Sequence, residues 1–133
     1  MNKLKYVAKL KAIFSQYPDV YLHPKCMREI LNFTAATGNE TRFLCTLNHY
    51  LRFMHDNDIS LWVKKDGIEK LKSCNANLWS MHFEGAYNLR ILFSVTDDGT
   101  LLLHTFYERG AKSFTGYESH IPFAITRLNE MHE

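Results

Sequence analysis

The chain has 133 residues, of which 46% are hydrophobic and 23% charged, and its formal charge is only +2. This is the balance of an ordinary globular protein with one hydrophobic core, so we expect a single domain over residues 1–133. The small net charge excludes a surface that binds nucleic acid by overall charge alone, although clustered basic residues could still form a local patch.

The cysteines and histidines do not indicate a metal site. Cys26, Cys45 and Cys74 are odd in number and share no spacing typical of metal ligands, and the histidines are scattered. The sequence shows neither a signal-peptide pattern nor an apolar stretch long enough to cross a bilayer. We therefore expect a soluble cytoplasmic protein with reduced thiols, no membrane contact, no metal and no cofactor.

The first third of the chain predicts one ambiguous element and one helix. In residues 6–14 apolar residues alternate with lysines, which fits an edge strand, although the same residues could form a short helix. Pro24 then opens a predicted helix that runs to about Ala36, and Gly38 ends it.

A second helix and two short segments follow. Asn39 or Thr41 can cap this helix, whose apolar residues recur at helical spacing until it ends near residues 56–58. Residues 61–65 are predicted to be extended, and residues 68–74 to form one or two helical turns.

The stretch 78–109 contains three apolar runs separated by turn signals at residues 84–86 and 97–99. In the first two runs apolar and polar residues alternate with period two, which predicts half-buried antiparallel strands. We expect a three-stranded meander with one face in the core and one polar face open for chemistry. The first two runs give the core face Trp79, Met81, Phe83, Leu89, Ile91, Phe93 and Val95.

The turn at residues 97–99 decides where His104 points. If Asp98-Gly99 forms a two-residue turn, Arg90 pairs with Tyr107 and His104 enters the core. If residues 97–99 form a three-residue loop, the register slips by one and His104 shares the polar face with Arg90. The sequence favours the second register, because it gives the third strand a better apolar match to the core. In that register the third strand offers the core Leu103, Thr105 and Tyr107.

A polar loop at residues 110–116 precedes a last predicted helix, which begins near Ser119 with Pro122 in its first turn. The predicted fold class is α+β. A small antiparallel sheet of three or four strands is packed by two N-terminal helices, and the C-terminal helix lies near the sheet edge.

Short motifs in residues 40–130 carry a family resemblance. They are Leu78-Trp79, Leu89-Arg90-Ile91-Leu92-Phe93, a DG turn, Leu102-Leu103-His104-Thr105-Phe106, a basic loop, and then Ile121, Ala124 and Arg127. This pattern resembles the RelE/ParE superfamily of toxin–antitoxin toxins, most of all its HigB-like, phage-derived branch. The chain departs from that branch where His82 replaces an arginine, where Leu89 replaces a tyrosine, and where residues 108–112 lack a lysine run.

The resemblance implies a RelE-like fold and a toxin of a type II toxin–antitoxin module. Such toxins cleave mRNA, usually on the ribosome, inhibit translation, and are neutralised by a cognate antitoxin protein. Metal-independent RNA cleavage uses the ribose 2′-hydroxyl as nucleophile. It needs a base, an acid, and cations that stabilise the charged phosphorane.

Four residues are the candidates for catalysis by this resemblance. Arg90 in the middle strand and Arg109 after the last strand line the cleft, and arginine suits phosphate because it is planar, bidentate and always charged. Tyr117 in the following loop resembles a tyrosine that stacks on a base or assists proton transfer. His104 is a candidate acid or base near neutral pH.

Five further residues are expected to contact RNA. Lys64 and Lys65 stand where the family has a lysine-bearing segment, and Lys112 follows the last strand. His82, on the polar face of the first run, and His120, near the start of the last predicted helix, are histidines that could also exchange protons. Each has a structural alternative, since lysines and histidines of this kind often form a solvated surface, and a histidine in an apolar strand is often a core residue.

Two other functions are compatible with the same fold. The ParE branch poisons DNA gyrase by binding, and a degenerate member would be a non-toxic binding module. Tyr117, Arg109 and the histidines favour the nuclease, because the gyrase poisons lack an assembled set of acids and bases.

Overall fold

A five-stranded sheet with helices on both faces forms the fold. The computed structural model describes residues 1–72, 74–85, 88–108 and 114–132, without the side chains of 114–117. The elements in chain order are α1 (Lys3–Ser15), β1 (Val20–Leu22), α2 (Pro24–Thr34), α3 (Glu40–Asp56), α4 (Ile59–Trp62), β2 (Ile68–Lys70), β3 (Trp79–Phe83), β4 (Leu89–Thr96), β5 (Gly99–Tyr107) and α5 (Phe114–Met131).

The sheet has the strand order β1-β5-β4-β3-β2. Strands β3, β4 and β5 pair antiparallel, which confirms the predicted meander. The predicted count of three or four strands is wrong, because β1 and β2 extend the sheet at its two edges. The sheet is also mixed rather than antiparallel, since β1 runs parallel to β5.

Residues 6–14, for which the sequence leaves a strand and a helix open, belong to helix α1, in which Tyr6 and Leu10 face the core one turn apart while the lysines stay exposed. Two other segments differ in local structure from their prediction. Residues 68–70 form a strand rather than a helical turn, because they pair with β3. Residues 61–65 are not extended, since they continue from the short helix α4 into turns.

The other helices are predicted correctly in type but not in every boundary. Helix α2 begins at Pro24 and α3 follows Asn39, as expected. Helix α5 begins at Phe114, so Pro122 lies inside the helix and not in its first turn. Proline has no backbone N–H, so the helix lacks one i→i−4 hydrogen bond at that point.

Two hydrophobic clusters lie on opposite faces of the sheet. The larger cluster joins the core face of the meander to helices α1, α2 and α3. The smaller joins Leu92, Leu101 and Phe106 to Ile121 and Ala124 of α5. The face expected to be open and polar is therefore covered by α5 over β4 and β5, and it stays polar toward β3 and β2.

The register of β4 and β5 is set by a two-residue turn and a β-bulge. Thr96 pairs with Gly99, so Asp97 and Asp98 alone form the turn, which neither predicted register anticipated. The pairing then shifts by one, which leaves Leu103 as the extra residue of a bulge. Beyond the bulge the favoured register holds, with His104 on the face of Arg90. Leu103, expected in the core of the predicted meander, packs in the smaller cluster instead.

We predict that Gly99→Ala destabilises the protein by about 3 kcal/mol, because the new methyl group would overlap a backbone carbonyl. Gly99 has φ +140°, and a Cβ there would lie 2.1 Å from the Asp19 carbonyl oxygen. That oxygen accepts the Thr100 N–H at 2.9 Å, beside the first residue of β1.

The matched control is Gly38→Ala, at φ +85° with nothing within 4 Å of the added Cβ. Its cost should be only the left-handed strain of about 1 kcal/mol. Urea unfolding of both variants measures the difference. Equal losses would contradict a close packing of residue 99 against Asp19.

Candidate functional site

The nine predicted site residues fall into two groups and a remainder. Lys64, Lys65, His82 and Arg90 meet at one pocket. His104 and His120 meet under α5. Arg109 and Lys112 lie outside the described residues. Tyr117 lies in α5 rather than in a loop, and its side chain is not among those described.

The first group lines an open pocket of about 430 Å³, which we call the polar pocket. Its walls are residues 63–69 together with His82, Glu84 and Arg90. His82 and Arg90 lie directly opposite each other on β3 and β4, so their side chains share a face. The 63–69 segment is held against them because the His82 N–H donates to the Gly67 carbonyl at 2.8 Å.

The polar pocket has both signs of charge. Lys64, Lys65 and Arg90 are its basic residues, and Asp66, Glu69 and Glu84 are its acidic ones. The Lys65 ammonium itself lies against α3, 2.8 Å from His49 Nε2 and over the Phe53 ring. A purely basic groove would only attract phosphate, whereas this mixture places groups that can exchange protons beside groups that can bind an anion.

Arg90 is fixed by its neighbours and only 14% exposed. Its Nε donates to the carboxylate of Glu108, which is 7% exposed, and its Nη1 donates to Ser80 Oγ at 3.4 Å. The charge of the guanidinium is therefore balanced within the protein. A bound phosphate would meet an oriented guanidinium rather than a mobile surface arginine.

His82 belongs to the same hydrogen-bond network. The Asn88 amide donates from Nδ2 to the Glu108 carbonyl, so its oxygen faces His82 and accepts from Nε2 at 2.8 Å. The other ring nitrogen, Nδ1, lies 3.5 Å from a Glu84 carboxylate oxygen. Asn88 has φ +49°, a left-handed conformation that asparagine tolerates better than most residues.

The second group surrounds a partly buried ion pair, and we call it the Glu29–Arg127 cluster. Glu29 of α2 binds Arg127 of α5 through both carboxylate oxygens, at 2.7 and 2.9 Å. His104 Nδ1 lies 3.1 Å from Arg127 Nη1 and 3.2 Å from Glu29 Oε2. His104 Nε2 lies 2.7 Å from His120 Nδ1.

The cluster also satisfies the backbone of β5. Glu29 accepts the Thr105 N–H at 3.0 Å, and Arg127 donates to the Leu103 carbonyl at 2.9 Å. Strand β1 pairs with β5 only at residues 100–102. The two side chains therefore hydrogen-bond to backbone groups of β5 that lie beyond the end of the short strand β1.

Burial and hydrogen bonding set the charge of the cluster. Burial raises the pKa of Glu29, but hydrogen bonds with His104, Arg127 and the Thr105 N–H outweigh it and lower that pKa to about 2. Burial, and then the charge of His104, lower the pKa of His120. Glu29 is therefore ionised at neutral pH, and His120 is largely neutral, the form that can accept a proton.

His104 shares the face of Arg90, as the favoured register predicted, but it lies beneath α5 and is only 5% exposed. His120 is only partly buried and stacks on Phe106, with ring centroids 4.0 Å apart. Phe106 lies directly opposite Arg90 on the neighbouring strand. His120 thus links the Glu29–Arg127 cluster to the surroundings of Arg90, as does His104, whose ring also stacks on Phe106.

Sequence reasoning missed Glu29, Glu108 and any role for Arg127. The sequence does contain a signal for a buried role of Arg127, because this charged residue falls at the spacing of the apolar stripe of α5. It contains no such signal for Glu29 and Glu108, since their partners are supplied by tertiary contacts.

No model of a protein family matches the chain, and neither does a curated protein or a solved structure. The resemblance to the RelE/ParE superfamily therefore stays a prediction from short motifs. Among the described residues, no helix has the length and apolarity needed to cross a membrane. In that same part of the chain, no three His, Cys, Asp or Glu side chains are grouped so that they could hold a metal ion.

We predict that Glu29→Gln lowers stability at neutral pH and flattens the acid side of the stability profile. The pKa of Glu29 falls from 4.5 to about 2 on folding, so its stabilisation is present above about pH 4.5 and disappears as the pH falls toward 2. The lowered pKa of Glu29 should contribute on the order of 3 kcal/mol to the free energy of unfolding at neutral pH. Urea midpoints between pH 7 and pH 2 measure it.

Glu69→Gln is the control, because Glu69 is exposed on β2 and far along the sheet from the cluster. It should leave the profile close to wild type. A wild-type and a Glu29→Gln profile that stay parallel down to pH 2 would refute the assignment.

Proposed function

We propose that this chain is the toxin of a type II toxin–antitoxin module. In this proposal it is a metal-independent endoribonuclease that cleaves mRNA in association with the ribosome and so inhibits translation. The observation that supports it best is the convergence of Lys64, Lys65, His82 and Arg90 on the polar pocket. These residues come from three separate segments of the chain, namely residues 63–69, β3 and β4.

The geometry suits charge stabilisation at a phosphate. Because Glu108 and Ser80 hold the Arg90 guanidinium in place, little side-chain freedom is lost when a phosphate binds. Arg90 would stabilise the phosphorane, and Lys64 and Lys65 would hold the RNA backbone. Proton transfer would fall to His82 and to the carboxylates of the pocket, with His120 as the neutral imidazole near Phe106.

A non-catalytic binding module is the second candidate. It is favoured by the balanced charge of Arg90 and by the equal number of basic and acidic residues that line the polar pocket. Growth after controlled expression distinguishes the two. Arrest with falling translation and cut transcripts supports the nuclease, unaffected growth supports the binding module, and arrest with DNA-damage signals indicates gyrase poisoning.

We predict that Arg90→Gln combined with Glu108→Gln abolishes toxicity and transcript cleavage while the protein stays folded. Removing Arg90 alone would leave the buried Glu108 charge unpaired, whereas the double change removes both charges and keeps hydrogen-bonding groups. Loss of one arginine from the transition state should cost about 3 kcal/mol, a factor of about 100 in rate. Cleavage of an mRNA in a translation extract measures activity, and circular dichroism measures folding.

The comparison variant is Glu108→Gln alone, which keeps Arg90 but removes the carboxylate that holds it, so its activity should fall less than that of the double variant. A folded double variant that still cuts the message would remove Arg90 from the mechanism. A wild-type protein that neither arrests growth nor cuts RNA would refute the proposed function itself. A cognate antitoxin is part of the same proposal, and co-expression of a small protein encoded beside this chain should relieve the arrest.

A further inference from the structure

The positive charge of the chain is concentrated on two adjacent helices. Helices α1 and α3 together contain six basic and two acidic residues, a formal charge of +4, whereas the whole chain has only +2. Helix α1 has four lysines and no acidic residue. The acidic Glu40 of α3 is buried and paired with the N-terminal amine. The outer surface of these helices is therefore basic.

Between the two helices runs an open groove of about 310 Å³, which we call the α1/α3 groove. Its floor is mainly apolar, and its lining includes Lys9, Ala12, Ile13 and Gln16 from α1 with Leu44 and Cys45 from α3. Lys5 lies one helical turn before Lys9 and extends the basic rim. The α1/α3 groove shares no lining residue with the polar pocket.

We propose that the α1/α3 groove is the docking site for an acidic amphipathic helix of a partner protein. The apolar floor at Ala12, Ile13 and Leu44 can take the aliphatic face of such a helix, as in other helix-in-groove complexes. Lysines on the rim complement glutamates and aspartates that flank that face.

The chemistry of the groove distinguishes this partner from two others. A nucleic acid would need cations and hydrogen-bond donors along the floor, where the groove has methyl and methylene groups. A second copy of this chain that docked through its own α1/α3 groove would bring the same positive charge against the rim and would be repelled. The proposal does not rest on the ribonuclease function, because the groove and the polar pocket are separate.

A synthetic helical peptide tests the proposal with the full chain. The peptide has leucines at i, i+3, i+4 and i+7 with glutamates beside them, and its matched control has lysines in place of the glutamates. Fluorescence anisotropy should show binding of the acidic peptide only. Cys45 lines the groove and is exposed, so its alkylation should slow when the acidic peptide is bound.

Variants of α1 locate the binding. Lys5→Glu with Lys9→Glu should weaken binding about tenfold or more. Lys3→Glu with Lys11→Glu makes the same change in net charge on the same helix, but these positions point roughly 120–160° away from Lys5 and Lys9, so binding should change much less. Circular dichroism checks that both variants keep their helices.

Ala12→Arg distinguishes the contribution of apolar contact from that of charge. The new side chain blocks the apolar floor of the groove and at the same time adds a positive charge. Weaker binding is the expected result. Tighter binding, an equal loss in both lysine pairs, displacement of the peptide by single-stranded RNA, or unchanged alkylation of Cys45 would each overturn the proposal. Absence of any binding of the acidic peptide would overturn it too.

Discussion

The ion pair between Glu29 and Arg127 determines how the two layers of helices are joined. Strand β1 ends at Leu22, so the edge of β5 beyond it has backbone groups with no neighbouring strand. An unpaired sheet edge is unstable when buried and prone to pair with other chains when exposed. The side chains of Glu29 and Arg127 bind those groups and each other, and so they attach α2 and α5 to the same point of the sheet. Since α5 carries His120, the placement of that histidine over Phe106 depends on this pair.

The β-bulge at Leu103 makes that arrangement possible. It corrects the register set by the tight Asp97-Asp98 turn, so that His104 faces α5 instead of the larger hydrophobic cluster. The Leu103 carbonyl of the bulge accepts the hydrogen bond from Arg127. The one extra residue in β5 thus determines which side chains face α5, and its carbonyl provides the hydrogen bond that holds α5 to the sheet.

The sequence predicted the parts of the fold that depend on local pattern. Period-two alternation and strong turn signals located the meander, and helical spacing located α2 and α3. Helix α1 was ambiguous because its lysines and apolar residues satisfy both periods, and β2 is a strand only because β3 pairs with it. For the site, family-like motifs and residue type singled out Lys64, Lys65, His82 and Arg90, but the sequence did not predict that they would line one pocket. The partners Glu108 and Glu29 were not predictable, since a carboxylate that neutralises a distant arginine leaves no periodic trace.

The pairing of Glu29 with Arg127 joins positions 98 residues apart in the chain. Contacts of such long range form late in folding, because a large loop must first be closed. During synthesis the edge of β5 is complete before Arg127 has emerged, so for that interval it is a template for strands of other chains. A protein truncated before α5 would keep this template permanently, and its expected fate is aggregation through β5 rather than a stable shortened domain.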